Sequence, residues 1–540
     1  MTKKCCVLIL VATIAALLLR LPRLSQRPMH GDEAVHAIKF GKLLEKNIYR
    51  YDPHEYHGPA LNYLTLIPAW LSSADTLAKA NECTLRIVPV CCGVLLVLFV
   101  MLIADGLGSN ASVFAAILTA ISPAMVFYSR YYIQEMLLVC FTFGIIVSGY
   151  RYSRTGKIIW IIMVGVFLGL MHASKETFII NLGSIALALA AGMILGRKKE
   201  PSEQNIRKIK ISYLFAGLAA AVIISALFFS SFFTNPKGIL DSVLTYKTYL
   251  NRAGDSDIHN HPWYYYLRIL IFYRFKSGPV WTESLVVILA VIGFIASFIK
   301  KGISYADMSF LRFIGFYTLI LTVIYSVMPY KTPWCALSFL HGMILLAGFG
   351  ISVLIQLVYR KVPRMIVSVL LLGAAIHLAW LSYLNNYKYY ADSRNPYVYA
   401  HPTNEIYAAL EKIEFYAKAH PQGRNMYIEV IFPGHDYWPL PWYLRSFSSI
   451  AWRDKVDFKE PSASLIIASP SIETDLTKKL YDDSIPPEQR HMYMYLIEKD
   501  PYYIWLRPRV ELYGFVRKDL WDIANAGPDP NEIINQQAEK

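Results

Sequence analysis

The chain has 540 residues, of which 55% are hydrophobic and only 17% charged, a balance that excludes a water-soluble enzyme and makes the bilayer the solvent. Its net charge of +14 does not point to nucleic acid, because the basic residues fall largely in short loops between apolar runs, where Lys and Arg act as topology signals. The seven cysteines lie in or beside those runs without a CxxC spacing and read as small hydrophobes.

In chain order, runs long enough to cross a bilayer, about 17 to 25 residues, fall near 5–21, 84–104, 111–127, 134–150, 158–172, 177–195, 211–229, 284–299, 310–328, 334–358 and 365–384. The first follows Lys3 and Lys4 like a signal peptide, but "LRLPRL" stands where a small-residue cleavage site would be, so it reads as an anchor. Alternating the loops from an inner N-terminus puts sixteen Lys and Arg against four acids in the inner segments, including "RKKEPSEQNIRKIK" and "KKGISYAD". The short outer loops "YSRYYIQE", "ASKE" and "PYKTP" hold three. Because cytoplasmic loops keep the basic excess, eleven spans with the N-terminus cytoplasmic are expected. Residues 1–384 form the membrane domain, with outer loops 22–83 and 230–283.

The first outer loop opens with "DEAVHAIKFGKLLEKNIYR", whose Val35, Ile38, Leu43 and Leu44 stand at helical spacing among charges, as in a helix lying flat on the membrane surface. After residue 385 the pattern changes. "NMYIEVIF", "SLIIASP" and "YYIWLRPRVELYGFV" read as buried strands, and "TNEIYAALEKIEFYAKA" as an amphipathic helix capped by Thr403 or Asn404. The expectation is a small extracytoplasmic α/β domain over 385–540.

Under this topology the ionisable residues at loop positions collect on one side: Asp32, Glu33, His57, Arg130, Glu135, Lys175, Glu176, His259, His261 and Lys331. Ionisable groups at membrane depth are costly and mark functional cavities. Local readings stand beside that one. Asp32 and Glu33 also suit the first turn of a helix, Lys175 and Glu176 an ordinary loop ion pair, and Lys331 a lysine snorkelling beside Trp334. Glu33, His36, His259 and His261 are the residue types of a divalent-metal site, or polar tips in an aromatic interface belt. No phosphate-cradling glycine loop, GxSxG or HExxH is present.

The acid pair after the first run, "SPAMVFYSRYYIQE", "ASKE" and "YKTPW" resemble the GT-C superfamily of multispan glycosyltransferases that use polyprenyl-phosphate sugars. The likeness is greatest to the flippase-activity-associated proteins of the O-mannosyltransferase-like branch, carried by "HGDEAVHA", "HGPALNYL", "NHPWYYYL", "KTPW" and "DYWPLPWYLR". The resemblance implies a multispan helical membrane protein that moves a sugar to a protein, glycan or lipid acceptor at the outer face. It makes Asp32 the base, with Glu33 beside it. Arg130, Lys175 and Lys331 become candidates to hold the donor phosphate, by a guanidinium fork or an ammonium point charge, and Glu135 resembles the second acid. A carboxylate at a low-dielectric interface would be tuned toward general-base work. The two-acid spacing and WWD-type motif of oligosaccharyltransferases are absent. The rival reading is a flippase or flippase partner for lipid-linked sugars, which should carry polar groups at mid-membrane; His172, Asn181, His341 and His377 are the few present.

Overall fold

The computed structural model describes residues 2–54, 57–196, 210–252, 259–299, 306–482 and 490–526. Two basic inner loops of the sequence reading, 197–209 and 300–305, lie outside them. Helices run in the order α1 (Lys3–Arg20), α2 (Gly31–Lys46), α3 (Ala60–Leu71), α4 (Glu82–Phe99), α5 (Ala104–Leu107), α6 (Ser109–Ile121), α7 (Pro123–Ser129), α8 (Glu135–Thr155), α9 (Ile158–His172), α10 (Phe178–Gly196), α11 (Ile211–Phe229), α12 (Lys237–Arg252), α13 (Tyr265–Ile271), α14 (Ser284–Ala296), α15 (Met308–Val327), α16 (Leu337–Leu357) and α17 (Lys361–Tyr383). The tail follows as α18 (Glu405–Ala419), β1 (Ile428–Ile431), α19 (Leu440–Tyr443), β2 (Ile450–Arg453), β3 (Leu465–Ala468), α20 (Glu473–Tyr481), β4 (Tyr493–Tyr495), β5 (Tyr503–Arg507), β6 (Val510–Arg517) and α21 (Lys518–Asn525).

The chain is a multispan helical membrane protein with a small sheet domain. Each of the eleven expected runs carries a helix, yet length and apolarity single out fewer spans. Among the described residues six helices are long and apolar enough to cross a membrane, or seven if the bent pair α6 and α7 is one span. The 57° bend of that pair lies at Ser122-Pro123, where proline ends one helix and starts the next. Helix α9, with 15 residues, is about 22 Å long, short of a bilayer core of roughly 30 Å. The apolar helix α3 arises inside a segment read as an outer loop.

The helices pack closely where glycines face a neighbour's backbone. A methyl group on Gly293 of α14 would strike the Leu346 carbonyl of α16, and one on Gly350 the Leu289 carbonyl. Gly165 of α9 faces the Gly217 carbonyl of α11 in the same way. Small residues at helix contacts provide the van der Waals attraction that replaces hydrophobic driving force in lipid.

Contacts divide the chain into two compact units, Met1–Ser25 with Lys39–Tyr399, and Gln26–Ile38 with Ala400–Lys540. The division falls inside α2. That helix is not the open surface helix expected: Glu33, Ala34, His36, Ala37, Lys39, Phe40 and Leu43 are buried, whereas Val35, Ile38 and Leu44 are half-buried. Of the expected apolar stripe Leu43 is buried and the other three are half-buried, and the small Ala34 and Ala37 line the buried side with it.

In the second unit β2, β1 and β3 are parallel, β6 joins β3 antiparallel, and β4 and β5 pair with β6. All three expected strand segments and helix α18 are present, while β2 and β4 were not foreseen. Thr403 Oγ1 accepts the Glu405 N–H at 3.3 Å, and the Asn404 side chain makes no cap. Strand alternation sends Ile428 and Val430 toward Ile406 and Ile413 of α18, and Ile431 toward Leu476 and Leu480 of α20. On that second face Glu429 is fully buried and meets Lys479 Nζ at 2.9 and 3.0 Å, an ion pair that the sequence reading did not see.

Candidate active site

In the second unit the segment His30-Gly31-Asp32-Glu33 forms the turn that starts α2. The Asp32 N–H donates to His30 Nδ1 at 3.0 Å, and the His30 N–H donates to Glu33 Oε2 at 3.1 Å. This resembles a capping box, with a histidine ring in the place of the usual Ser or Thr and the N–H of the second helical residue, rather than the third, as its donor. Glu33 Oε1 faces Arg27 Nη2 at 3.6 Å, and neither side chain is more than 7% exposed. The Asp32 side chain, by contrast, is 53% exposed, with Oδ2 3.8 Å from His30 Nδ1. The dry site expected for this acid is thus absent around it, and the buried member of the pair is Glu33. The Met29 N–H donates to the Tyr443 hydroxyl at 2.8 Å. The sequence segments "HGDEAVHA" and "DYWPLPWYLR" therefore meet within one unit.

The membrane unit organises the other candidates. Lys175, in the turn before α10, forms an ion pair with Glu135 at the start of α8, and both are buried. The next residue, Glu176, accepts from the Tyr51 hydroxyl at 3.1 Å and meets His57 Nδ1 at 2.7 Å. The two charges of "SKE" are thus held by different elements. Tyr51 carried no sequence signal as a partner.

Lys331 lies where residues 259–261 run antiparallel to 329–331: Asn260 bridges Tyr330, the Lys331 N–H donates to His259 O at 2.9 Å, and the His261 N–H to Pro329 O at 3.2 Å. This pairing is why "NHPW" and "KTPW" are neighbours. Lys331 is 1% exposed, and its ammonium donates to the carbonyls of Met328 and His261. Among the described residues no carboxylate pairs with it. His259 Nδ1 is 2.6 Å from the Tyr399 hydroxyl and His261 Nε2 3.4 Å; burial and the neighbouring His259 and Lys331 push the His261 pKa down.

Arg130, which ends α7, reaches the end of α1. Its guanidinium donates to the carbonyls of Arg20 at 2.7 Å, Pro22 at 2.8 Å and Arg23 at 3.1 Å, and stands 4.9 Å from the Tyr387 ring centre, satisfying acceptors that a helix end leaves open. Glu283 is a buried acid absent from the sequence candidates. It accepts from Ser122 Oγ at 2.6 Å, the Ala124 N–H at 2.9 Å and the Tyr397 hydroxyl at 2.9 Å, fixing the bend between α6 and α7. Among the described residues no three His, Cys, Asp or Glu side chains group closely enough to hold a metal ion. Of the weak metal candidates, Glu33 meets Arg27, the two loop histidines turn to Tyr399, and His36 is buried in α2.

The same fold occurs in two solved structures. ArnT from Cupriavidus metallidurans bound to undecaprenyl phosphate is 12% identical, with a TM-score of 0.61 over 94% of this chain and 97% of that one. The archaeal oligosaccharyltransferase AglB from Archaeoglobus fulgidus, in complex with an inhibitory peptide and a dolichol-phosphate, is 14% identical, with a TM-score of 0.52 over 96% of this chain and 77% of that one. The chain has the GT-C fold. A family model described as dolichyl-phosphate-mannose-protein mannosyltransferase matches residues 65–229, and no curated protein matches the chain. The matched stretch carries Arg130, Glu135, Lys175 and Glu176 but ends before Lys331 and begins after Asp32.

Proposed function

We propose that the chain is a membrane glycosyltransferase that moves one sugar from a polyprenyl-phosphate donor to an acceptor hydroxyl at the outer face of the membrane. The observation that carries the reading is the GT-C fold shared over 94% of the chain with ArnT bound to undecaprenyl phosphate. Asp32 supplies the base: its exposed carboxylate takes the acceptor proton while the acceptor oxygen bonds to the anomeric carbon. The bond from that carbon to the donor phosphate breaks, its electron pair leaves with the phosphate, and the configuration inverts. Glu33 holds the turn that carries Asp32. Lys331 is the cation best suited to the donor phosphate, because it is buried without a carboxylate partner among the described residues, whereas Lys175 already meets Glu135. Arg130 braces α1. The basic loop excess supports a cytoplasmic N-terminus and an extracytoplasmic tail.

Transfer of label from a polyprenyl-phosphate sugar by the purified protein in liposomes tests the reading. Transfer is expected in the parent and not in Asp32→Asn. Movement of intact donor across the bilayer without cleavage would instead establish the flippase reading. Two of the intramembrane polar groups, Asn181 and His172, give that rival little support. Asn181 Nδ2 donates to Thr142 at 3.2 Å and Ser338 at 3.4 Å, and His172 meets Ser225 at 2.7 Å, so these groups hold helices together.

A further inference from the structure

We propose that His30 is the positioning residue for Asp32, its ring acting as the helix cap that fixes where the Asp32 carboxylate stands; the inference rests on the reading of Asp32 as the base. Helix caps are ordinarily Ser, Thr, Asp or Asn, whose side-chain oxygen accepts a backbone N–H of the first turn. Here the acceptor is an imidazole nitrogen, and the N–H it accepts belongs to Asp32 itself at 3.0 Å. One ring therefore holds the main chain of the acid and faces its carboxylate at 3.8 Å.

The turn is anchored at each position. Glu33, buried against Arg27, draws in the His30 N–H. Tyr443 takes the Met29 N–H. The His30 ring lies 4.9 Å from the His401 ring, centre to centre, and is itself buried. Burial disfavours the imidazolium, the nearby Arg27 and Arg507 disfavour it further, and Asp32 and Glu33 oppose that shift without outweighing it. The ring therefore keeps the lone pair at Nδ1 that the cap requires. A flexible exposed aspartate samples many rotamers, and a base misplaced by about an ångström loses much of its rate. Fixing its main chain from the preceding side chain removes part of that freedom.

The test compares His30→Ala with His30→Asn in the full chain. Asn supplies a cap acceptor without an imidazole. His30→Ala should lower kcat about tenfold, with donor KM unchanged, and should speed deuterium exchange of the peptide spanning residues 27–38 about fivefold, as expected for a lost cap. His30→Asn should recover most of both. Parental kcat and exchange in His30→Ala, or equal damage in His30→Asn, would overturn the proposal. If the parent protein transfers no sugar, the proposed function fails, and with it the catalytic part of this inference. The exchange comparison still reads the cap by itself.

Discussion

Two dipeptides of adjacent ionisable residues, Asp32-Glu33 and Lys175-Glu176, look alike in the sequence and are used differently. In the second pair both side chains are buried and both are committed, Lys175 to Glu135 and Glu176 to Tyr51 and His57. In the first pair only Glu33 is committed, to Arg27 and the His30 N–H, while Asp32 is exposed. A buried charge needs partners simply to exist at that depth, so its presence argues for architecture first. An exposed carboxylate in the first turn of a helix is stabilised by water and by the helix dipole and stays accessible to a substrate. With Asp32 as the proposed base, exposure within a pair separates chemistry from scaffold more sharply than residue type does.

That contrast breaks if the members of the first pair behave alike. Asp32→Asn should reduce transfer by about 10²- to 10⁴-fold, the usual contribution of a general base, with the thermal unfolding midpoint unmoved; a stability loss without a rate defect would overturn the distinction. In the second pair, Lys175→Met should cost about 3 kcal/mol of stability by stranding Glu135, and Lys175→Met with Glu135→Leu should regain most of it, as read by unfolding in detergent. Glu33→Gln should fall between. Weakening the link to Arg27 while leaving an acceptor for the His30 N–H should cost about 1 to 2 kcal/mol, with catalysis reduced no more than tenfold. A Glu33→Gln rate as low as that of Asp32→Asn would make Glu33 a chemical partner.

Much of this was legible beforehand. Apolar runs marked the helices because lipid forbids unsatisfied backbone, short apolar runs marked the fully buried β1 and β3, and the β5–β6 segment shows alternating burial. The span count was less legible, since an apolar run does not reveal a proline break such as Pro123 or a helix as short as α9. The candidate residues were legible as polar positions, but their partners were not. Glu33 with Arg27 is local; Lys175 with Glu135, Glu176 with Tyr51, and Met29 with Tyr443 join residues 40, 125 and 414 positions apart. Such pairs are decided by tertiary packing, which leaves no periodic trace. Glu283 escaped notice for the same reason: its three donors come from the break between α6 and α7, from α7 and from the segment after α17.

The smallest expected effect is a pH dependence that belongs to the first pair. His30 is buried, and burial first, then Arg27 and Arg507, lower its pKa below the ordinary histidine value despite Asp32 and Glu33. With a depressed folded pKa, the unfolded chain takes up the proton before the folded one does. Stability is therefore whole above about pH 6.5 and is lost progressively as the pH falls below it, because the unfolded state then binds more protons. Unfolding midpoints of the full protein between pH 7.5 and about 5 should decline more steeply in the parent than in His30→Asn, which keeps the cap acceptor but has nothing to titrate. Parallel slopes would mean that His30 binds its proton equally well folded and unfolded, which its burial and its acceptance of the Asp32 N–H at Nδ1 argue against. The Lys175-Glu176 pair offers the control: replacing Lys175 removes an ion pair but no buried neutral imidazole, so the acid slope should survive.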